Sequence, residues 1–329
     1  MIIIQTLLGG VTRLTGSGLS ITEWKPIMGA IPPLNEGEWE KAFNGYKQIG
    51  QYKYLNSDFN LSDFKFIFFW EWFHRLWARL LFVVFATGFI WFLVKQYFDK
   101  KMIIPFIILF ILGGMQGLIG WVMVSSGVND TNLFVDHIKL SIHFISAMVL
   151  ACYTLWFALK LLIPENQRVT DKKLSLFTLA AIIILSVQLT YGAFMAGLKA
   201  AAAAPTWPKI NGMWVPGNLL TQSLINDKIN VHFIHRCLAY FLLFIIVIWF
   251  MKTRQVIKTT ASRLLQKTRQ WPMLLIMVQV TLGIITVMLS PRIVWGKFGV
   301  FEIAAELHQL VAMFLLMALV VNLYIIKRK

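Results

Sequence analysis

Cysteine is nearly absent. Only Cys152 and Cys237 occur in 329 residues, both inside apolar runs. No loop carries a pair, so no disulfide framework is expected. Charge is scarce as well: Asp, Glu, Lys and Arg make up 14% of the chain. A soluble domain of this length carries about a quarter. The 15 acidic residues stand against 31 Lys and Arg, for a formal net charge of +16. That balance alone would admit a nucleic-acid partner. Its distribution argues for no nucleic acid, because the basic residues crowd into alternate short connections instead of forming one phosphate-binding face. No signal-peptide cleavage pattern is visible, so the first apolar segment is expected to direct insertion itself.

Apolar residues are abundant, at 58% of the chain. They fall in runs of about 20, the length of helix that crosses a bilayer. The expected fold class is all-α: a polytopic protein of eight transmembrane helices. The spans are about 1–12, 66–94, 103–124, 138–163, 174–198, 229–251, 271–290 and 303–326. The first is too short for roughly 30 Å of hydrocarbon. Either Met1 is not the natural start, or this helix is truncated or the bilayer thinned around it. The segments KQYFDKK, PENQRVTDKK, KTRQVIKTTASRLLQKTRQ and the terminal KRK are basic and alternate along the chain. The positive-inside rule places them and both termini in the cytoplasm. The segments 13–65, 125–137, 199–228 and 291–302 then lie outside.

Four of the six histidines share a local rule. His74, His143, His235 and His308 are each followed four residues later by alanine: Ala78, Ala147, Ala239 and Ala312. His137 and His232 break it, with Ser141 and Arg236 at that offset. Positions i and i+4 share a helix face, so each ring has room beside it for something flat and wide. The odd-numbered spans carry a second pattern, Q-x-x-x-G, at Gln5–Gly9, Gln116–Gly120, Gln188–Gly192 and Gln279–Gly283. Glutamine-to-histidine distances alternate long and short. TEWKPIMGAIPP (22–33) resembles PTWPKINGMWVPG (205–217), and HRLWARLLF resembles HRCLAYFLLF. Together these imply a duplicated unit and two pseudo-symmetric four-helix bundles, 1–165 and 166–329.

All four histidines lie early in inward-running helices, hence at one depth in the outer leaflet. Ionisable side chains in a bilayer are costly and commonly functional. Neutral imidazole is a common metal ligand, and facing histidines in a helical bundle suit haem iron. The expected pairs are His74 with His143 and His235 with His308. Zinc or copper would call for added Cys or carboxylate ligands, which do not cluster here. His137 and His232 are read as non-ligands. Arg75, Arg79 and Arg236 have two readings: snorkelling to the interface, or pairing with haem propionates through the guanidinium fork. The glutamines are read as interhelical hydrogen-bonding groups whose glycines permit close packing. Glu71 lies three residues before His74 and shares its face, with two readings: a partner of Arg75 or Arg79, or a proton-handling group.

GGVTRLTGSGLSITEWKPIMGAIPP (9–33), EWFHR (71–75), QGLIGWVMVSSG (116–127), IHR (234–236) and ELHQ (306–309) resemble the haem A synthase family. They are most similar to the branch shared by alphaproteobacteria and mitochondria, and the likeness covers nearly the whole chain. The resemblance implies an oxidoreductase that converts haem O to haem A. It would oxidise the C8 methyl to a formyl group by two hydroxylations and loss of water from the gem-diol. It implies a substrate site in the N-terminal half with His74, His143 and Glu71, and haem b as cofactor in the C-terminal half on His235 and His308. The other main branch has a cysteine pair in the first outer loop; residues 13–65 contain none.

The partners expected are the lipid bilayer of the cell inner membrane, haem O, the haem O synthase (protohaem farnesyltransferase) that would deliver it, a ferredoxin-type electron donor, and a second copy of the chain as a homo-oligomer. The alternatives are a di-haem b-type electron-transfer protein and a transporter. The matched histidine depth speaks against the transporter. Two sites at one depth do not make a relay across the bilayer.

Overall fold

A computed structural model describes residues 1–23, 28–293 and 297–327. Trp24–Ile27 of the TEWKPIMGAIPP stretch, Val294–Gly296 of the last outer segment and Arg328 and Lys329 of the terminal KRK lie outside the described residues. The chain is helical almost throughout. In order the helices are α1 (Ile2–Leu14), α2 (Glu36–Tyr46), α3 (Gly50–Leu55), α4 (Leu61–Val94), α5 (Lys100–Ser125), α6 (His137–Leu162), α7 (Lys172–Gly197), α8 (Lys228–Thr260), α9 (Arg263–Thr268), α10 (Gln270–Leu289) and α11 (Val300–Ile325). Two short strands, β1 (Val169–Thr170) and β2 (Ile326–Lys327), pair in parallel.

Of the eight expected spans, seven correspond to helices long and apolar enough to cross a membrane: α4, α5, α6, α7, α8, α11 and the segment Arg263–Arg292 that contains α10. The eighth, α1, is 13 residues long. At 1.5 Å per residue it reaches about 20 Å, short of a bilayer core. Helix starts are written in the sequence. Asp99, Asp171 and Asp227 accept backbone N–H groups at the first turns of α5, α7 and α8. Asn60 and Asp63 form a reciprocal capping box at α4. Such caps satisfy donors that the helix cannot.

Two expectations are corrected. The segment 252–269 was expected as a connection; α8 instead continues to Thr260, and α9 follows after Ala261, which takes a left-handed φ of 51°. The first outer segment, expected as a loop, contains α2 and α3. Phe43 and Tyr46 of α2, Ile49, and Tyr52 of α3 pack with Phe64, Ile67 and Phe68 of α4 in one apolar cluster. Burial of that aromatic area drives their folding.

The chain divides into two compact units. One comprises Met1–His143 with Arg292–Glu306; the other comprises Phe144–Pro291 with Leu307–Lys329. In the first unit, α1 is fastened to α4 by Thr12 Oγ1 donating to Trp70 O (3.2 Å) and Gln5 Nε2 donating to His74 O (3.3 Å). In the second, a core of Met148, Leu185, Leu189, Leu242, Ile246, Ile276, Met313 and Leu319 joins α6, α7, α8, α10 and α11. Trp249, fully buried, donates to Thr178 Oγ1 at 2.8 Å. Large apolar residues such as Ile104, Ile111, Leu118 and Phe244 are exposed, as side chains facing lipid would be.

Candidate functional site

In the second unit, His235 of α8 and His308 of α11 bring their rings to a centroid separation of 6.4 Å, with planes 75° apart. Two metal–imidazole bonds of about 2 Å each, plus two ring radii of about 1 Å, require roughly 6 Å. The spacing therefore fits one iron between them, and among the described residues no group of three or more His, Cys, Asp or Glu could hold a metal ion, which suits haem better than a bare ion. His308 Nδ1 donates to Gln279 O at 3.1 Å, which leaves the lone pair on Nε2. Gln279 Nε2 lies 3.3 Å from that nitrogen, and Gln188 Nε2 lies 3.4 Å from His235 Nε2. Arg236 donates to Ala204 O (3.1 Å), Lys209 O (3.4 Å) and Pro208 O (3.5 Å), and contacts His232 Nε2 at 3.1 Å. His232, fully buried, thus serves Arg236. Nε of Arg236 is buried with no hydrogen-bond partner.

In the first unit, His74 of α4 and His143 of α6 lie within electrostatic reach of each other. Gln116 Nε2 donates to His143 O at 3.0 Å and lies 3.2 Å from its Nδ1. Glu71 is buried, at 2% exposure, and fully engaged. Its Oε2 accepts from Ser20 Oγ (2.7 Å) and from the Ile21 N–H (2.8 Å); its Oε1 accepts from Arg75 Nη2 (2.5 Å). Arg75 also donates to Ile21 O at 3.4 Å. The pair clamps the GSGLSI segment of the first outer region onto α4. Arg79 follows one turn after Arg75 on α4.

Two features escape a reading of the sequence. First, each Q-x-x-x-G glycine abuts a histidine. A Cβ added at Gly9 would lie 3.2 Å from His74 Nε2. At Gly120 it would lie 2.9 Å from His143 Cε1, at Gly192 3.3 Å from His235 Cε1, and at Gly283 3.1 Å from His308 Cε1. The repeated spacing was the available signal. Second, Glu306, within the ELHQ motif, buries both carboxylate oxygens without a hydrogen-bond partner, pressed against Gly10 of α1. Arg13, one turn further along α1, acts on it electrostatically. Nothing in the spacing of acidic residues marks Glu306.

The fold and site thus define a multi-pass helical membrane protein with paired intramembrane histidines. The chain belongs to the COX15-CtaA family, cytochrome oxidase assembly protein, which it matches over residues 1–320. Among curated relatives, a protein named Heme A synthase from Flavobacterium johnsoniae is 35% identical across 98% of this chain and 94% of its own length. Proteins of the same name from Bartonella henselae and Sinorhizobium medicae are 38% and 40% identical, over 86% and 88% of this chain and 79% of each relative.

Proposed function

We propose that this chain is a haem A synthase, an oxidoreductase that takes haem O as substrate and oxidises its C8 methyl to a formyl group. The observation that carries the reading is the ring geometry of His235 and His308, at iron-spanning distance; His74 and His143 lie within electrostatic reach of each other. The relatives' name, Heme A synthase, supports haem A as the product.

In this proposal the chain holds eight membrane segments, α1 among them, as two pseudo-symmetric four-helix halves in chain order, 1–165 and 166–329. It sits in the cell inner membrane with both termini cytoplasmic. His235 and His308 hold haem b, which when bound supplies one-electron transfer. His74 and His143 hold the iron of the substrate haem. Arg75, Arg79 and Arg236 receive propionates; the unpartnered Nε of Arg236 supports a guanidinium with a free donor. Glu71 handles protons during methyl oxidation and dehydration, and its place between Ser20, Ile21 and Arg75 holds the carboxylate in position. The basic connections suit an acidic ferredoxin-type donor, and haem O synthase would supply the substrate. A second copy of the chain is a further partner in this reading.

The test is reverse-phase chromatography of haems from cells that make haem O, with and without this chain. Appearance of haem A only with the chain supports the reading. Haem O left unchanged beside a purified protein that retains b-type haem would make it an electron carrier.

A further inference from the structure

The four Q-x-x-x-G motifs sit on the helix packed beside each histidine, and in every case the glycine meets the imidazole. An imidazole can lie that close to a neighbouring helix only where no Cβ intervenes. α5 makes the specificity plain. It carries Gly113, Gly114, Gly117 and Gly120; an added Cβ meets nothing within 4 Å at the first three, and His143 at the fourth. The glutamine one turn before each glycine reaches the same histidine. Gln5 donates to the backbone carbonyl of His74, Gln116 to both ring and carbonyl of His143, and Gln188 and Gln279 reach the Nε2 atoms of His235 and His308. In His308 that nitrogen carries the lone pair, because Nδ1 is spent on Gln279 O.

We infer that Q-x-x-x-G is a histidine-positioning cradle used four times: the glycine sets how close and at what tilt the ring lies, and in three of the four the glutamine also contacts the ring and fixes its rotation. In the second unit the amide keeps the metal-competent nitrogen occupied until a metal takes it. These are positioning residues and act through the histidines. The inference rests on the histidines being haem ligands, as proposed above. Orientation of a ligand by its neighbours typically changes metal affinity by about 10–100-fold.

The experiment uses the full-length purified protein with Gly283→Ala, Gly192→Ala and Gln279→Leu, and with Gly117→Ala as control. In a ferric low-spin haem with two axial imidazoles, the spread of EPR g-values reports the angle between ring planes, because each ring splits the iron d orbitals along its own direction. Near-perpendicular rings, as here, give a strongly anisotropic signal. Gly283→Ala, with the smaller clearance, should shift the g-values more than Gly192→Ala and weaken haem retention about 10-fold. Gln279→Leu should shift them in the same sense, and Gly117→Ala should match wild type. Loss of folding alone would lower haem content without moving the g-values of the haem that remains. Unchanged g-values and retention in the cradle variants would overturn the inference. If wild type itself holds no haem, the proposed function falls instead, and NMR of 15N-histidine-labelled protein decides the cradle. A moved His308 Nε2 resonance in Gln279→Leu sustains it, and an unmoved one overturns it.

Discussion

Glu71 has two roles open to it, and its surroundings let them be separated. The carboxylate is buried and accepts three hydrogen bonds, one from Arg75. Removing one partner of a buried pair strands the other charge, at a cost of about 3–5 kcal/mol. Replacing both relieves much of that cost. Glu71→Gln should therefore lower thermal stability in detergent and sharply reduce haem A formation. Glu71→Gln with Arg75→Gln should regain most of the stability. Haem A is read in the single variant, because Arg75 is itself proposed to receive a propionate; a wild-type yield of haem A from Glu71→Gln would leave Glu71 as a structural partner of arginine. Calorimetry or dye-based melting gives the first readout and haem chromatography the second. In the proposed site His235→Ala and His308→Ala each remove one of the two histidines that would hold haem b, so each should purify without stable haem b. Full haem b in both, measured by the Soret and pyridine haemochrome bands, would dismiss this pair.

At the scale of elements, the region between α1 and α4 behaves as a small folded layer. Tyr46 is fully buried, with its hydroxyl donating to Gln51 Oε1 (3.0 Å) and accepting from Asn56 Nδ2 (2.7 Å). Burial pushes its phenol above the usual range, which favours the neutral hydroxyl that makes these bonds. Tyr46→Phe leaves two buried amide groups short of a partner and should cost about 1–3 kcal/mol, seen as a lower melting temperature. The signal for α2 was in the chain. Asn35 followed by Glu38 is a capping pattern, and Trp39, Phe43 and Tyr46 keep helical spacing. A reading that follows only apolar runs passes over it, because α2 is polar on average and folds by covering α4. The membrane helices were legible for the opposite reason: apolar runs with Asp or Asn caps leave few alternatives. The histidines were legible because imidazole stands out in such runs. Their glycines were legible as a repeat, through Q-x-x-x-G, but not as neighbours of the histidines; packing shows that Gly120 meets His143 while Gly117 meets nothing within 4 Å. Where β1 meets β2, Glu165 pairs with Lys327 and with Arg168 (2.6 Å). The bond to Lys327 and then that to Arg168 hold its carboxyl below the ordinary value. A depressed folded-state value means the contribution is present above the unfolded-state value and lost as pH falls through the folded one. Melting curves of wild type and Glu165→Gln should differ slightly at neutral pH and converge in acid.

For the whole molecule, the charge pattern assigns sides, and the structure supplies positions at which to read them. Within the second unit, α7 begins at Lys172 and α8 ends at Thr260, so Lys172 and Lys258 flank the same pair of adjacent helices. Antiparallel neighbours joined by one crossing and one return place the start of the first and the end of the second on one side. The basic segments 164–173 and 252–270 contain both positions, and the proposed topology, by the positive-inside rule, puts that side in the cytoplasm. The four histidines sit in the first halves of α4, α6, α8 and α11, the ends that the proposed topology turns outward. The native cysteines are both free, and Cys237 is exposed, so each must first be changed to serine. In that background, Lys172→Cys and Lys258→Cys should resist a membrane-impermeant thiol reagent in intact cells stripped of their outer barrier. Both should label once the membrane is opened. Asn218→Cys, in the outer segment between α7 and α8, should label without opening. Agreement of the two lysine positions with each other tests the helix pairing; their disagreement with Asn218 tests the direction of insertion. Labelling of both lysine positions in intact cells, with Asn218→Cys silent, would invert the orientation and put the proposed haem sites near the cytoplasmic face. Labelling of only one would break the helix pairing itself.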